Sequence, residues 1–446
     1  MRGWFQPTTR REEIRMTQQG SAHDVSTPFT RRRFIGAAGA LGAATLLPGL
    51  AACGGSDDDG APAQGSSTEK VTLTWWDYFT ETNEKAVEDR IARYMKENPN
   101  VTIKRTGHPF AALKQKLLQG ATAGELPDFV VIDNPDHSSF AALGVLADIS
   151  DKVKEWGEES SYFEGPWQST VYEGKNYGVP DNSNCLTMWA NTELLRKAGV
   201  EVPTDWDGLR AAAADLSNGK TKGLAVCAVK SEEGTFQWLP FLWATGADLQ
   251  TLDSDGGREA LQLWVDLVQG GQMSRSVVNW DQQAVLKEFA NERAAMMING
   301  PWQIGVIEAE APKLQWEVAT IPKAQQGASV LGGENIAITQ ASKNVDAAWE
   351  FVKWTQTPEN LIRYNAMAGK IPSRKDAAED PQWTGDPTLK VFVDQLAVAK
   401  PRAYGPKYPE ISSAIQEMLQ AALTGSRSVD EAIAETAAKI KPLIQT

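Results

Sequence analysis

With 446 residues and 48.6 kDa, the chain exceeds the size at which a single hydrophobic core stops growing, which excludes one small module and predicts two lobes or more. Hydrophobic residues at 42% and charged residues at 23% exclude the disordered, collagen-like and polytopic membrane classes. Residues 1–52 hold seven Arg against three acids, so the remainder carries 37 basic and 54 acidic residues, a balance that excludes a phosphate-tracking nucleic-acid surface.

The first element is a leader. Arg31, Arg32 and Arg33 precede Phe34, and an uncharged 19-residue run rich in Gly, Ala and Leu follows to Ala52. Twin arginines ahead of a weakly apolar stretch resemble a Tat export signal, and Gly36, Gly39, Gly42 and Pro48 argue against a spanning helix. Leu50-Ala51-Ala52-Cys53-Gly54 resembles the bacterial lipoprotein box, which implies cleavage before Cys53, diacylglycerol on its sulfur, and a place on the extracellular face of the cell membrane. Residues 1–52 are thus expected to be a signal peptide. Residues 53–69, rich in Gly, Ser, Ala, Asp and Pro, read as a flexible tether.

From residue 70 the pattern alternates. Residues 71–76, 101–105 and 128–133 read as strands, with helices at 110–123 and 138–143 between and after them, an α/β layout with a largely parallel sheet. A second α/β region follows, with strands at 186–190, 224–229, 294–298, 316–321 and 335–339 and helices at 192–198, 236–245 and 258–269. Thr204 with Asp207 is expected to cap the next helix, and Ser428 with Glu431 reads as a capping box for the last one. Cys185 and Cys227 permit a disulfide in an exported protein, although two buried free thiols are the commoner fate.

No template for covalent chemistry is complete. His108 and His137 are the only imidazoles beyond the leader; HExxH and GxSxG are absent, and residues 218–221 imitate a P-loop without its first glycine. No metal and no cofactor is expected. Fifteen Trp follow the leader, several beside Asp, Asn or Gly, which suits rings facing a cleft. An indole offers a broad apolar face with an N–H at its edge, a match for a sugar ring rimmed by hydroxyls. Trp264, Trp349 and Trp354 lie on helical stripes and are assigned to the core.

The segments 124–133, 143–149, Tyr177-Gly178-Val179-Pro180, Trp189-Ala190-Asn191-Thr192, Asn299-Gly300-Pro301-Trp302 and 425–432, in this order and behind a lipoprotein leader, are similar to those of extracellular solute-binding proteins of bacterial carbohydrate ABC importers, the maltose-binding-protein type. The resemblance runs from about residue 71 to the end. It implies a two-lobe periplasmic-binding-protein (Venus-flytrap) fold of class II with a cleft between hinged α/β lobes, a carbohydrate ligand and ABC permease partners, and no enzymatic activity. It implies crossings near residues 180–183, 329–335 and 370–373, hence one lobe of 70–180 plus 335–371 and another of 181–334 plus 372–446. Trp302 matches the family's ligand-stacking residue. The other candidates are Trp76 and Asp77 after the first strand; Asp133, Asn134, Asp136 and His137 after the third; Asn182 and Asn184 after the first crossing; Glu233, Phe236 and Trp238 in the second lobe; Gly333, Glu334 and Asn335 at the second crossing; and Arg402, Tyr404 and Tyr408 before the C-terminal helices. A monomer with a membrane tether at Cys53 is expected. The alternative readings of the same sequence are a binder of peptide, polyamine or compatible solute on the same fold, or a carbohydrate-active enzyme.

Overall fold

The computed structural model describes residues 70–444, so the expected signal peptide, Cys53 and the tether lie outside the described residues. The elements that position the cleft are β1 (Val71–Asp77), α1 (Glu81–Glu97), β2 (Val101–Gly107), α2 (Phe110–Ala123), β3 (Phe129–Asp133), β4 (Val179–Pro180), β5 (Thr187–Asn191), β6 (Lys222–Ala225), α3 (Glu232–Ala244), α4 (Gln282–Ala290), β7 (Ala294–Asn299), β8 (Trp316–Ala319), β9 (Glu334–Ile338), α5 (Val345–Thr355), α6 (Tyr408–Thr424) and α7 (Val429–Ile440).

Two sheets organise them. The first runs β2-β1-β3-β9-β4 and the second β8-β5-β7-β6. Because strand side chains alternate in direction, each sheet has a core on both faces. On β3, Phe129 and Val131 join Leu73, Trp75 and Phe351 of α5, whereas Val130 and Ile132 join Leu113 and Leu117 of α2. The second sheet divides in the same way: Met188, Met296 and Ile298 face α3, α6 and α7, while Trp189, Met297 and Cys227 face Phe289 of α4. Both Cys185 and Cys227 are buried there as free thiols.

Parallel pairing holds for β1 with β2 and β3 in the first sheet and for β6 with β7 in the second. β9 runs antiparallel to both β3 and β4, and in the second sheet β5 is antiparallel to both β7 and β8. A strand that arrives by a long connection rather than through a βα unit has no right-handed crossover to align it. Helix starts also differ from expectation. The helix expected at 236–245 begins at Glu232, and the cap expected of Thr204 is supplied by Asp205, whose carboxylate accepts from Gly208 N at 2.8 Å. The Ser428–Glu431 capping box is present.

The three segments expected to cross lie side by side. Ser183 bridges to Ile371 and Asn184 to Gly332, both antiparallel, and Asp181 N donates to Glu334 O at 2.8 Å. Gly333 has φ +140 and a Cβ there would stand 2.3 Å from Asn182 O, so only glycine fits.

Candidate ligand-binding cleft

A cavity of about 310 Å³ opens between the two sheets' bodies. The first contributes Tyr78, Phe79, Asn83, Phe110 and Asp133; the second Glu232, Glu233, Phe236, Asp281, Gln282, Trp302 and Gln303; the crossing segments Asn184, Gly332, Gly333, Glu334 and Lys370; Arg402 completes it. A second compartment of about 280 Å³ shares Tyr78, Phe110, Asp133 and Glu232 with it, so the groove continues past them.

Trp302 sits in a 3-10 turn directly after β7. Its half-buried ring lies 6.3 Å from that of Phe236, and it folds across Gly300, where a Cβ would meet the indole at 2.0 Å. The glycine two positions ahead is thus what lets the ring lie flat against the chain.

Arg402 ties the two bodies together. Its Nη1 and Nη2 donate to both oxygens of Asp133 at 2.9 Å, Nη1 also to Glu232 at 2.7 Å, and Nη2 to Asn134 at 3.1 Å. Its side chain is 1% exposed, and the guanidinium stands 4.6 Å from the centre of the Phe236 ring. Burial pushes the Asp133 carboxyl up while Arg402 pulls it down; the parallel pair of hydrogen bonds is the geometry of an ionised pair. Tyr408 donates to Glu232 at 2.7 Å and Ser412 donates to its other oxygen. Across the cavity Lys370 pairs with Glu334 at 2.7 Å and Tyr78 donates to the same carboxylate at 3.0 Å. Burial pushes the Glu233 carboxyl up to about 7, although Gln282 N donates to it at 3.2 Å.

Of the residues expected from sequence, Trp302, Asp133, Asn184, Glu233, Phe236, Gly333, Glu334 and Arg402 line this cavity. Asp136 lines the second compartment, paired with Lys114 at 2.7 Å. The rest lie elsewhere, each for a physical reason. Trp76 packs edge-on against His108, away from the cavity. Asp77 is fully buried in a two-point pair with Arg105 and accepts from Phe79 N at 2.9 Å, so it sets the turn that presents Phe79. Asn134 is buried and its oxygen is taken by Arg402. His137 is fully buried against Gly178, and burial lowers it to about 3, which makes it a neutral core residue. Asn182 is buried beneath Gly333. Trp238, two residues beyond Phe236, points to the opposite side of α3 into the core. Asn335 alternates with Glu334 on β9 and bonds Ser169 instead. Tyr404 donates to Asp248 at 2.6 Å, and Tyr408 is buried behind Glu232.

The expectation of several tryptophans facing a cleft is also corrected. Among the described residues Trp302 alone of the tryptophans lines the cavity; the other aromatic faces are Phe79, Phe110, Phe236 and Tyr78. Sequence reasoning missed Tyr78, Phe79, Phe110, Glu232, Asp281, Gln282, Gln303 and Lys370. Tyr78 and Phe79 carry a usable signal, since they follow the C-terminal end of a parallel strand, where open sheets gather ligands.

Comparison with known proteins agrees with this architecture. The family of bacterial extracellular solute-binding proteins matches residues 89–391. The solved solute-binding protein of Thermotoga lettingae bound with alpha-D-tagatose is 26% identical, with a TM-score of 0.79 over 84% of this chain and 100% of that one. The GacH receptor of Streptomyces glaucescens, solved unliganded and with acarbose, is 28% identical with a TM-score of 0.77, covering 84% and 98%. A maltooligosaccharide ABC transporter solute-binding lipoprotein of Streptococcus pneumoniae is 25% identical over 440 residues, 93% of this chain and 98% of its own. The two sheets are the two lobes of that fold, and the chain belongs to the family of bacterial extracellular solute-binding proteins.

Proposed function

We propose that this chain is a lipid-anchored receptor that captures a sugar, a mono- or oligosaccharide, outside the cell membrane and hands it unaltered to an ABC permease. The observation that carries this reading is the cavity wall: Trp302, Phe236 and Phe79 offer apolar faces beside the carboxylates and amides of Glu233, Asn184, Gln282 and Gln303. Aromatic faces cover the C–H side of a pyranose while the polar groups satisfy its hydroxyls. That the T. lettingae and S. glaucescens relatives hold tagatose and acarbose supports it.

In this reading a Tat-like signal over residues 1–52 exports the protein, Cys53 anchors it, and residues 53–69 give it reach. The lobes divide as 70–180 plus 335–371 and 181–334 plus 372–446, and the protein acts as a monomer. The paired crossing segments at Ser183–Ile371 and Asn184–Gly332 support a hinge there. A net hydrogen bond contributes only about 0.5–1.5 kcal/mol. Specificity therefore comes from many groups satisfied together as the lobes shut, and a ligand favours closure only by binding that state more tightly.

A thermal-shift screen of the chain from residue 54 onward against a saccharide library, followed by calorimetry of the hits, tests the reading. Saturable stabilisation by a sugar, recovered chemically intact, is expected. Silence toward every saccharide, or recovery of a shortened one, overturns it.

A further inference from the structure

The charges around the cavity do not balance. Five carboxylates line it, Asp133, Glu232, Glu233, Asp281 and Glu334, against two cations, Arg402 and Lys370. Arg402 is taken by Asp133 and Glu232, and Lys370 by Glu334. Glu233 and Asp281 are left with no Lys or Arg partner among the described residues.

These two carboxylates meet at one corner. Glu233 accepts from Gln282 N at 3.2 Å, Asp281 accepts from Ala284 N at 2.7 Å, and Gln303 Nε2 donates to Gln282 O at 3.4 Å. Gln303 is fully buried, and its Oε1 has no partner. The start of α4 supplies about half a positive charge. Above pH 7, where Glu233 is mostly ionised, two carboxylates exceed that, so the corner keeps a surplus of negative charge and an unused carbonyl acceptor. Trp302 lines the same cavity, and an aromatic face also attracts cations.

We propose that the guest carries a protonated amine, that it is an amino sugar, and that Glu233, Asp281 and Gln303 Oε1 receive its ammonium. The inference rests on the proposed sugar-binding function and narrows its ligand class. An ammonium has three donors and no acceptor, which matches a corner of acceptors; a hydroxyl also needs a donor for its oxygen. Burial and the nearby Asp281 charge both raise the proton affinity of Glu233.

The test is calorimetry at pH 7.5 with three matched sets of probes: glucosamine, galactosamine and mannosamine; their N-acetyl forms; and glucose, galactose and mannose. Putrescine serves as a cation without a sugar ring. At least one amine is expected to bind tenfold or more tighter than both its N-acetyl and its hydroxyl counterparts. Repeating the titration at pH 7 in buffers of different ionisation enthalpy is expected to show proton release. Glu233→Gln and Asp281→Asn, which keep an acceptor for the α4 backbone, are expected to reduce the amine-to-neutral affinity ratio at least tenfold. Equal or tighter binding of neutral sugars overturns the amine inference and leaves the sugar reading standing. Binding of putrescine with no saccharide, or of no probe at all, overturns the amino-sugar inference, while the sugar reading falls only if the full saccharide library is silent as well. An unchanged ratio in both variants overturns the assignment of the ammonium to this corner.

Discussion

Replacing Arg402 by Met removes the one cation that joins Asp133 of the first lobe to Glu232 of the second. The methionine retains much of the aliphatic stem, so the loss is chiefly electrostatic. Two buried carboxylates are left facing each other, and breaking a buried pair by deleting one partner costs about 3–5 kcal/mol. With roughly 375 residues in the described part of the chain and an unfolding entropy of about 2.1 cal/mol/K per residue, that corresponds to a fall in Tm of about 4–6 °C. Part of the loss will appear as lobe opening, because the bridge spans the cleft. The defect should also depend on pH. Without Arg402 nothing offsets the burial that raises the Asp133 carboxyl above its ordinary value, the folded protein binds more protons than the unfolded one, and stability falls as pH rises through that window. R402M is therefore expected to lie closer to wild type at pH 5 than at pH 7.5. Adding Asp133→Asn should recover part of the loss. Scanning calorimetry on wild type, R402M and R402M/D133N at the two pH values makes the comparison. Identical melting of all three at both pH values would refute a buried inter-lobe bridge.

Trp302→Ala is expected to weaken saccharide binding by about ten- to a hundredfold, roughly 1.4–2.8 kcal/mol, with Tm changed little because the ring is only half-buried. Calorimetry and melting curves on the same sample check both halves. Glu233, raised from 4.5 to about 7, makes the unliganded protein lose stability as pH climbs between those values, by at most about 3.5 kcal/mol, and E233Q should flatten that slope in urea titrations. Cys185 and Cys227 should resist a thiol reagent in the native chain from residue 54 onward and titrate as two thiols in denaturant. A count of none would indicate a disulfide.

The regular elements were legible in the sequence wherever one physical pattern dominated. Residues 110–123 and 192–198 are helices with the bounds that their pattern and glycine stops predict. Strand direction in the second sheet was not legible, because it depends on where the chain crosses between lobes rather than on any local pattern. Within the cleft, Trp302, Phe236 and Arg402 could be read from a resemblance of motifs. The partner of Arg402 could not, since Glu232 and Glu233 are adjacent and only the turn of α3 decides which of them meets the guanidinium. Asp77, His137 and Tyr408 look like binding groups in sequence because they are polar and lie near strand ends or helix starts. Burial makes them supports: Asp77 holds the turn to Phe79, and Tyr408 holds Glu232.

Hydrogen–deuterium exchange on the chain from residue 54 onward, with and without whichever saccharide stabilises it most, most directly probes whether one guest engages both lobes. Slower exchange is expected simultaneously around Tyr78–Asn83 on the first lobe and around Glu232–Phe236 and Trp302–Gln303 on the second. Slowing on one side alone, or only at surfaces remote from these residues, would contradict the account.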